Sequence, residues 1–117
     1  MNFKPILLVA GEPNSIFLEI FFKVHKKNKF KSPLILIASK KVLNLQMKKL
    51  NFNKKIRFLN PQKLNSYKLN NKTINLIDIK YNPSKAFEKI SNKSKNYIKD
   101  CFNTAIKIIN SGYTYKL

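Results

Sequence analysis

Apolar residues along this chain fall into short blocks of two different periods. Ile6 to Ala10 is continuously apolar between Pro5 and Gly11, the pattern of a strand buried on both faces in a parallel sheet. Gly11-Glu12-Pro13-Asn14-Ser15 is turn chemistry. After it Ile16, Phe17, Ile20, Phe21 and Val24 recur at helical spacing, with Asn14 or Ser15 placed to cap, and this predicts a helix ending near Asn28. Pro33 introduces a second buried strand, Leu34 to Ala38. Ser39 is then a plausible cap for a helix whose apolar face is Val42, Leu43, Met47 and Leu50. Lys55 to Leu59 predicts a third strand, stopped by Asn60-Pro61, and the polar stretch Gln62 to Lys72 reads as loop. Thr73 to Ile79 predicts a fourth strand, closed by Asn82-Pro83. From Ser91 or Asn92 onward Tyr97, Ile98, Cys101, Phe102, Ala105, Ile108 and Ile109 trace one helical stripe, and Gly112 stands where a C-cap glycine belongs. Tyr113 to Leu117 looks like the approach to a further strand.

Strands alternating with helices imply an α/β fold, a mostly parallel sheet with helices on both faces. A chain of 117 residues is one domain's worth. The sequence stops at the approach to a strand, so residues 1–117 read as the N-terminal part of a longer α/β/α domain, cut before its next strand. Such a piece is expected to leave a sheet edge and a helix face uncovered, with exposed apolar surface and aggregation.

Composition narrows the possibilities. The longest apolar runs fall far short of the ~20 residues a bilayer span needs. The first run follows Lys4-Pro5 and is ended by Gly11-Glu12-Pro13 before any small-residue cleavage site, which points to a cytoplasmic protein. Cys101 is the only cysteine, so no internal disulfide can form. A net charge of +19 raises nucleic acid as a partner. Against that, 23 of the 24 basic residues are Lys and only Arg57 is Arg, whereas base reading favours the planar guanidinium. Lys, Asn and Ile, all with A/T-rich codons, make up 53 of the 117 residues. The lysines are also dispersed from Lys4 to Lys116, which favours a solvated surface. The same field would help bind a small phosphorylated ligand.

Few residues could carry chemistry. His25, Cys101 and five scattered carboxylates form no metal-ligand pattern. His25 beside Lys26-Lys27 reads as a surface histidine at a helix end, and Cys101, on an apolar stripe, as a buried thiol. No catalytic residue can be assigned. The best site candidate is the turn from Gly11 to Glu19 between the first strand and first helix. Ligands of open α/β sheets gather at the carboxyl ends of strands, where a helix N-terminus offers free N–H groups. On pattern alone an ordinary strand-to-helix turn, which explains Gly11 and Pro13 without any ligand, is the favoured reading.

That segment resembles the opening of the 4-hydroxythreonine-4-phosphate dehydrogenase family, which begins with a strand and then G-[DE]-P-x-G-I-G-P-E. Gly11, Glu12, Pro13, Ile16 and Glu19 match, while Ser15, Phe17 and Leu18 stand where the family has glycine, glycine and proline. The resemblance implies an isocitrate/isopropylmalate dehydrogenase-like fold of two α/β/α domains, working as a homodimer with its active site in the cleft. It implies NAD-dependent oxidation of 4-phosphooxy-threonine, then decarboxylation, in pyridoxal phosphate biosynthesis, with a divalent metal held by histidines from later parts of the chain and from the partner subunit. None of those histidines is present, nor are the substrate-phosphate contacts, so this piece is expected to bind neither metal nor substrate competently and to be inactive alone. What carries over is a cleft-facing turn near the dinucleotide, Gly11, Glu12, Pro13 and Ile16.

Three other readings compete. A paralogous dehydrogenase of another four-carbon phosphorylated acid would share the opening motif. A small basic module would bind RNA or DNA through its lysines, but the Phe and Tyr residues sit at core spacing and offer no stacking platform. A regulatory protein complete in itself would melt cooperatively as a monomer.

Overall fold

In the computed structural model, residues 4–13, 15–27, 31–83 and 94–113 are described. The order of elements is β1 (Ile6–Val9), α1 (Phe17–Lys27), β2 (Leu34–Ala38), α2 (Lys40–Lys49), β3 (Ile56–Phe58), a single 3₁₀ turn (Leu64–Ser66), β4 (Ile74–Asp78) and α3 (Lys95–Asn110). All four strands are parallel, in the order β1-β2-β4-β3. Leu8, Leu36, Leu76 and Phe58 lie level across the sheet, as do Leu7, Ile35, Asn75 and Arg57 in the adjacent row.

Successive strand residues point to opposite faces, and the continuous apolar runs exist because both faces are covered. On one face Leu34, Leu36, Ala38, Ile74 and Leu76 pack against Leu18, Phe21 and Phe22 of α1 and Val42, Leu43 and Met47 of α2. On the other, Leu7, Ile35, Ile37 and Ile77 meet Tyr97, Cys101, Ala105 and Ile108 of α3, joined by Leu59 and Leu64. Leu36 and Leu76 are wholly buried, each such side chain contributing about 1.5–3 kcal/mol. The predicted α/β fold with helices on both faces is what forms.

Helix ends follow their local chemistry. Ser39 Oγ accepts from Val42 N at 3.3 Å and caps α2. At its other end Asn51 takes φ +54°, with Phe52 N bonded to Met47 O and Asn51 N to Lys48 O. That double bond pattern needs a left-handed residue, a role asparagine tolerates. Phe52 then stacks on Phe22 with ring centroids 4.8 Å apart, tying the end of α2 to α1. Gly112 follows α3 at φ +82°, in the expected C-cap position.

Three expectations need correction. The buried stripe of α1 is Leu18, Phe21, Phe22 and His25, whereas Ile16, Ile20 and Val24 are 64%, 51% and 40% exposed. This helix is apolar on two sides, and the larger Phe21-Phe22 pair takes the sheet. Phe102 of α3 is likewise exposed. His25, read as a surface residue, is 1% exposed, because it lies one turn beyond Phe21 on the buried stripe. The proposed start of the last helix at Ser91 or Asn92, capping by Asn14, and the strand approach at residues 114–117 fall outside the described residues.

Candidate functional site at the carboxyl edge of the sheet

Parallel strands place all their carboxyl ends on one edge, where loops can converge. Three loops do so here. After β1, Gly11 adopts φ +68°, and nothing lies within 4 Å of where a Cβ would stand. Pro13 is buried, and its carbonyl accepts from Gln46 Nε2 of α2 at 2.7 Å, while Gln46 Oε1 is buried with no partner. Ser15 Oγ donates to Glu12 O at 2.9 Å and accepts from Phe17 N at 3.3 Å, so Ser15 caps α1. Glu12 turns the other way, its Oε2 accepting from Ser94 Oγ at 2.8 Å just ahead of α3.

The second and third loops meet at Ser39. Ser39 N donates to Tyr97 Oη at 2.8 Å, and its Oγ donates to Tyr81 O at 3.3 Å. Burial raises the pKa of Tyr97, foremost, and the hydroxyl stays protonated. Cys101, one turn on, is pushed up to about 11 by burial, so it is an inert core thiol as expected. Lys40 N donates to Asp78 Oδ1 at 2.8 Å, joining the start of α2 to the end of β4. Lys41 Nζ donates to Asn82 Oδ1 at 2.7 Å. Between Lys40, Lys41, Asp78, Lys80, Tyr81 and Asn82 lies a cleft of about 360 Å³.

Of the residues singled out in the sequence, Gly11 and Glu12 reach this edge, Pro13 is packed beneath it, and Ile16 is exposed just ahead of α1. The cleft at Lys40, Lys41 and Asp78 was not foreseen. The available signal was a capping serine directly after a buried strand, together with an aspartate ending another. Among the described residues no group of three metal-binding side chains occurs, and no helix is long and apolar enough to cross a membrane.

The opposite edge carries a separate polar network. Lys54 Nζ lies 2.7 Å from His25 Nδ1 and 3.2 Å from Asn71 O. An ammonium only donates, so Nδ1 accepts and the imidazole proton sits on Nε2, which is buried with no partner. Burial, and then the charge of Lys54, lower the His25 pKa to about 4; burial lowers that of Lys54 too. Asn71 Oδ1 accepts from Leu34 N at 2.8 Å and its Nδ2 donates to Ser32 O, while Asn75 Nδ2 donates to Leu34 O at 3.0 Å and Asn70 O at 2.8 Å. These bonds fix where β2 begins beside β4.

The class these features define is an open parallel α/β unit with its loops gathered at the carboxyl edge. Its likeness among solved structures is to 4-hydroxythreonine-4-phosphate dehydrogenases. One, from Burkholderia phymatum, matches 96% of this chain with a TM-score of 0.75 and 18% identity. A Salmonella typhimurium protein assigned to the same activity matches 96% with a TM-score of 0.76 and 19% identity. This chain spans 34% and 36% of their lengths, about a third. At that identity the likeness establishes the fold. No family sequence model matches the chain, and no curated protein matches it by sequence.

Proposed function

We propose that this chain is the N-terminal third of an NAD-dependent 4-hydroxythreonine-4-phosphate dehydrogenase of the isocitrate/isopropylmalate dehydrogenase type, cytoplasmic and homodimeric when complete, and that it is inactive alone. The observation that carries the proposal is the agreement between two independent signals: the Gly11-Glu12-Pro13, Ile16, Glu19 motif and the match of 96% of the chain to structures of that activity. The full enzyme would oxidise the secondary alcohol of 4-phosphooxy-threonine and release carbon dioxide.

The described residues do not fit a divalent metal, since no three donors converge; that site would belong to the remaining two-thirds. They do fit the approach of a dinucleotide at one point. Open space stands over Gly11, while Ser94 holds the Glu12 side chain to one side. NAD, when bound, would accept the hydride, and the turn from Gly11 to Pro13 would present backbone to it. Gln46 and Ser15 keep that turn in shape.

The test is a chimera in which this chain replaces the matching third of the Salmonella typhimurium protein. A folded chimera should reduce NAD with 4-phosphooxy-threonine, while the chain alone should not. A folded but inactive chimera would refute the reading, and turnover of a different four-carbon phosphorylated acid would favour the paralogous enzyme.

A further inference from the structure

The connections leaving the four strands divide between the two faces of the sheet. After β1 and β2 the chain enters α1 and α2, which pack on one face. After β3 it runs through Leu59 and Leu64, and the next described element after β4 is α3, all on the other face. β2 and β4 are neighbours in the sheet. Among the described residues, their carboxyl ends are therefore the one place where adjacent strands send the chain to opposite faces. Such a switch point opens a crevice outside the sheet, and ligands of open α/β folds bind there. The Gly11 turn lies beside β1 and β2, whose helices share a face, and is not at the switch. The cleft of about 360 Å³ is, because Lys40 and Lys41 follow β2 while Asp78, Lys80 and Asn82 close β4.

We propose that this cleft is a binding site for the phosphoryl group of a small ligand. Lys40, Lys41 and Lys80 line it, and none of the three makes an ion pair among the described residues. Lys41 Nζ donates to Asn82 Oδ1, a neutral carboxamide, and Lys40 Nζ lies 5.5 Å from the centre of the Phe58 ring. Neither contact cancels the charge. The lining carboxylate, Asp78, has Oδ1 engaged by Lys40 N. Three positive groups against one negative select an anion, and the surplus matches a phosphate monoester, which carries about −1.5 to −2 near pH 7 and three acceptor oxygens. With the first amide of α2 taken by Asp78, the lysine side chains rather than the helix end supply the donors. The cleft is the size of a small-molecule pocket, whereas a nucleic-acid strand would need a longer track of cations. A phosphoryl contact in this part of the chain goes beyond the dehydrogenase reading and holds whether or not the chimera turns over.

The test is titration of the ¹⁵N-labelled 117-residue chain with inorganic phosphate, O-phosphoserine and NAD at constant ionic strength. Expected are saturable amide shifts centred on Lys41, Lys80 and Asn82. Lys41→Gln and Lys80→Gln should each weaken binding about tenfold. Asp78→Asn, which keeps an oxygen for Lys40 N and removes the negative charge, should tighten it about threefold. Lys63→Gln and Lys72→Gln remove the same charge from exposed positions elsewhere and should leave affinity within about twofold. The tightest of the three probes identifies the source as a free ion, a monoester or a diphosphate, and any of these bears the proposal out. Four outcomes overturn it: no saturable shift with any probe, equal weakening by the Lys63 and Lys72 variants, weaker binding to Asp78→Asn, or shifts centred on Gly11 with none at Lys80.

Discussion

His25 shows how one residue can be decided by its neighbours. On its own sequence context, beside two lysines at a helix end, it belongs at the surface. It is buried because Leu18, Phe21 and Phe22 set the inward stripe and the next position on that stripe is 25. Lys54 then lies against its ring. Folding holds the imidazole neutral down to about pH 4, whereas the unfolded residue protonates near 6.5. Below 6.5 the unfolded state takes up the proton first, so the stability from this pair is present at neutral pH and is lost as pH falls from 6.5 toward 4. A shift of that size is worth roughly 3 kcal/mol. Urea titrations across that window should show the slope, and His25→Phe should flatten it.

Among elements, α1 carries the clearest test of which side faces the sheet. Leu18→Ala should cost about 2–4 kcal/mol by opening a cavity beneath the helix, while Ile20→Ala should change stability by less than about 0.5 kcal/mol. Thermal melts of the two variants would distinguish the stripes, and equal losses would reverse the assignment. Strands β1 and β2 were legible in sequence because uninterrupted apolar runs following a proline have few other uses, and β4 because Ile74, Leu76, Ile77 and Ile79 cluster ahead of Asn82-Pro83. The buried face of α1 was not, since residues 16–24 offer two apolar stripes and periodicity cannot rank them. The Gly11 turn was visible as a glycine after a buried strand. Its partners were hidden: Glu12 with Ser94, and Pro13 with Gln46, join residues 82 and 33 positions apart. The same holds for the cleft between Lys41, Asp78 and Asn82, which exists only once α2 and the end of β4 are brought side by side.

For the whole molecule, the charge of +19 and the uncovered apolar groove lined by Ile6, Leu8, Ile20 and Val24 pull in opposite directions. Repulsion keeps copies apart at low salt, and screening removes that protection as the Debye length falls to about 8 Å near 0.15 M. The isolated chain should therefore bind a hydrophobic dye such as ANS and should aggregate more readily as salt is added, with light scattering as the readout. Ile20→Lys should reduce both. A chain that stays monomeric and dye-free at high salt would mean the groove is closed in solution.

The bonds that set the starts of β2 and β4 come largely from Asn71 and Asn75, which are carboxamides. Such groups neither titrate nor attract counterions. On a polypeptide so rich in lysine, the staple between the two central strands is thus made of groups indifferent to acidity and electrolyte, while the His25–Lys54 pair beside it is not.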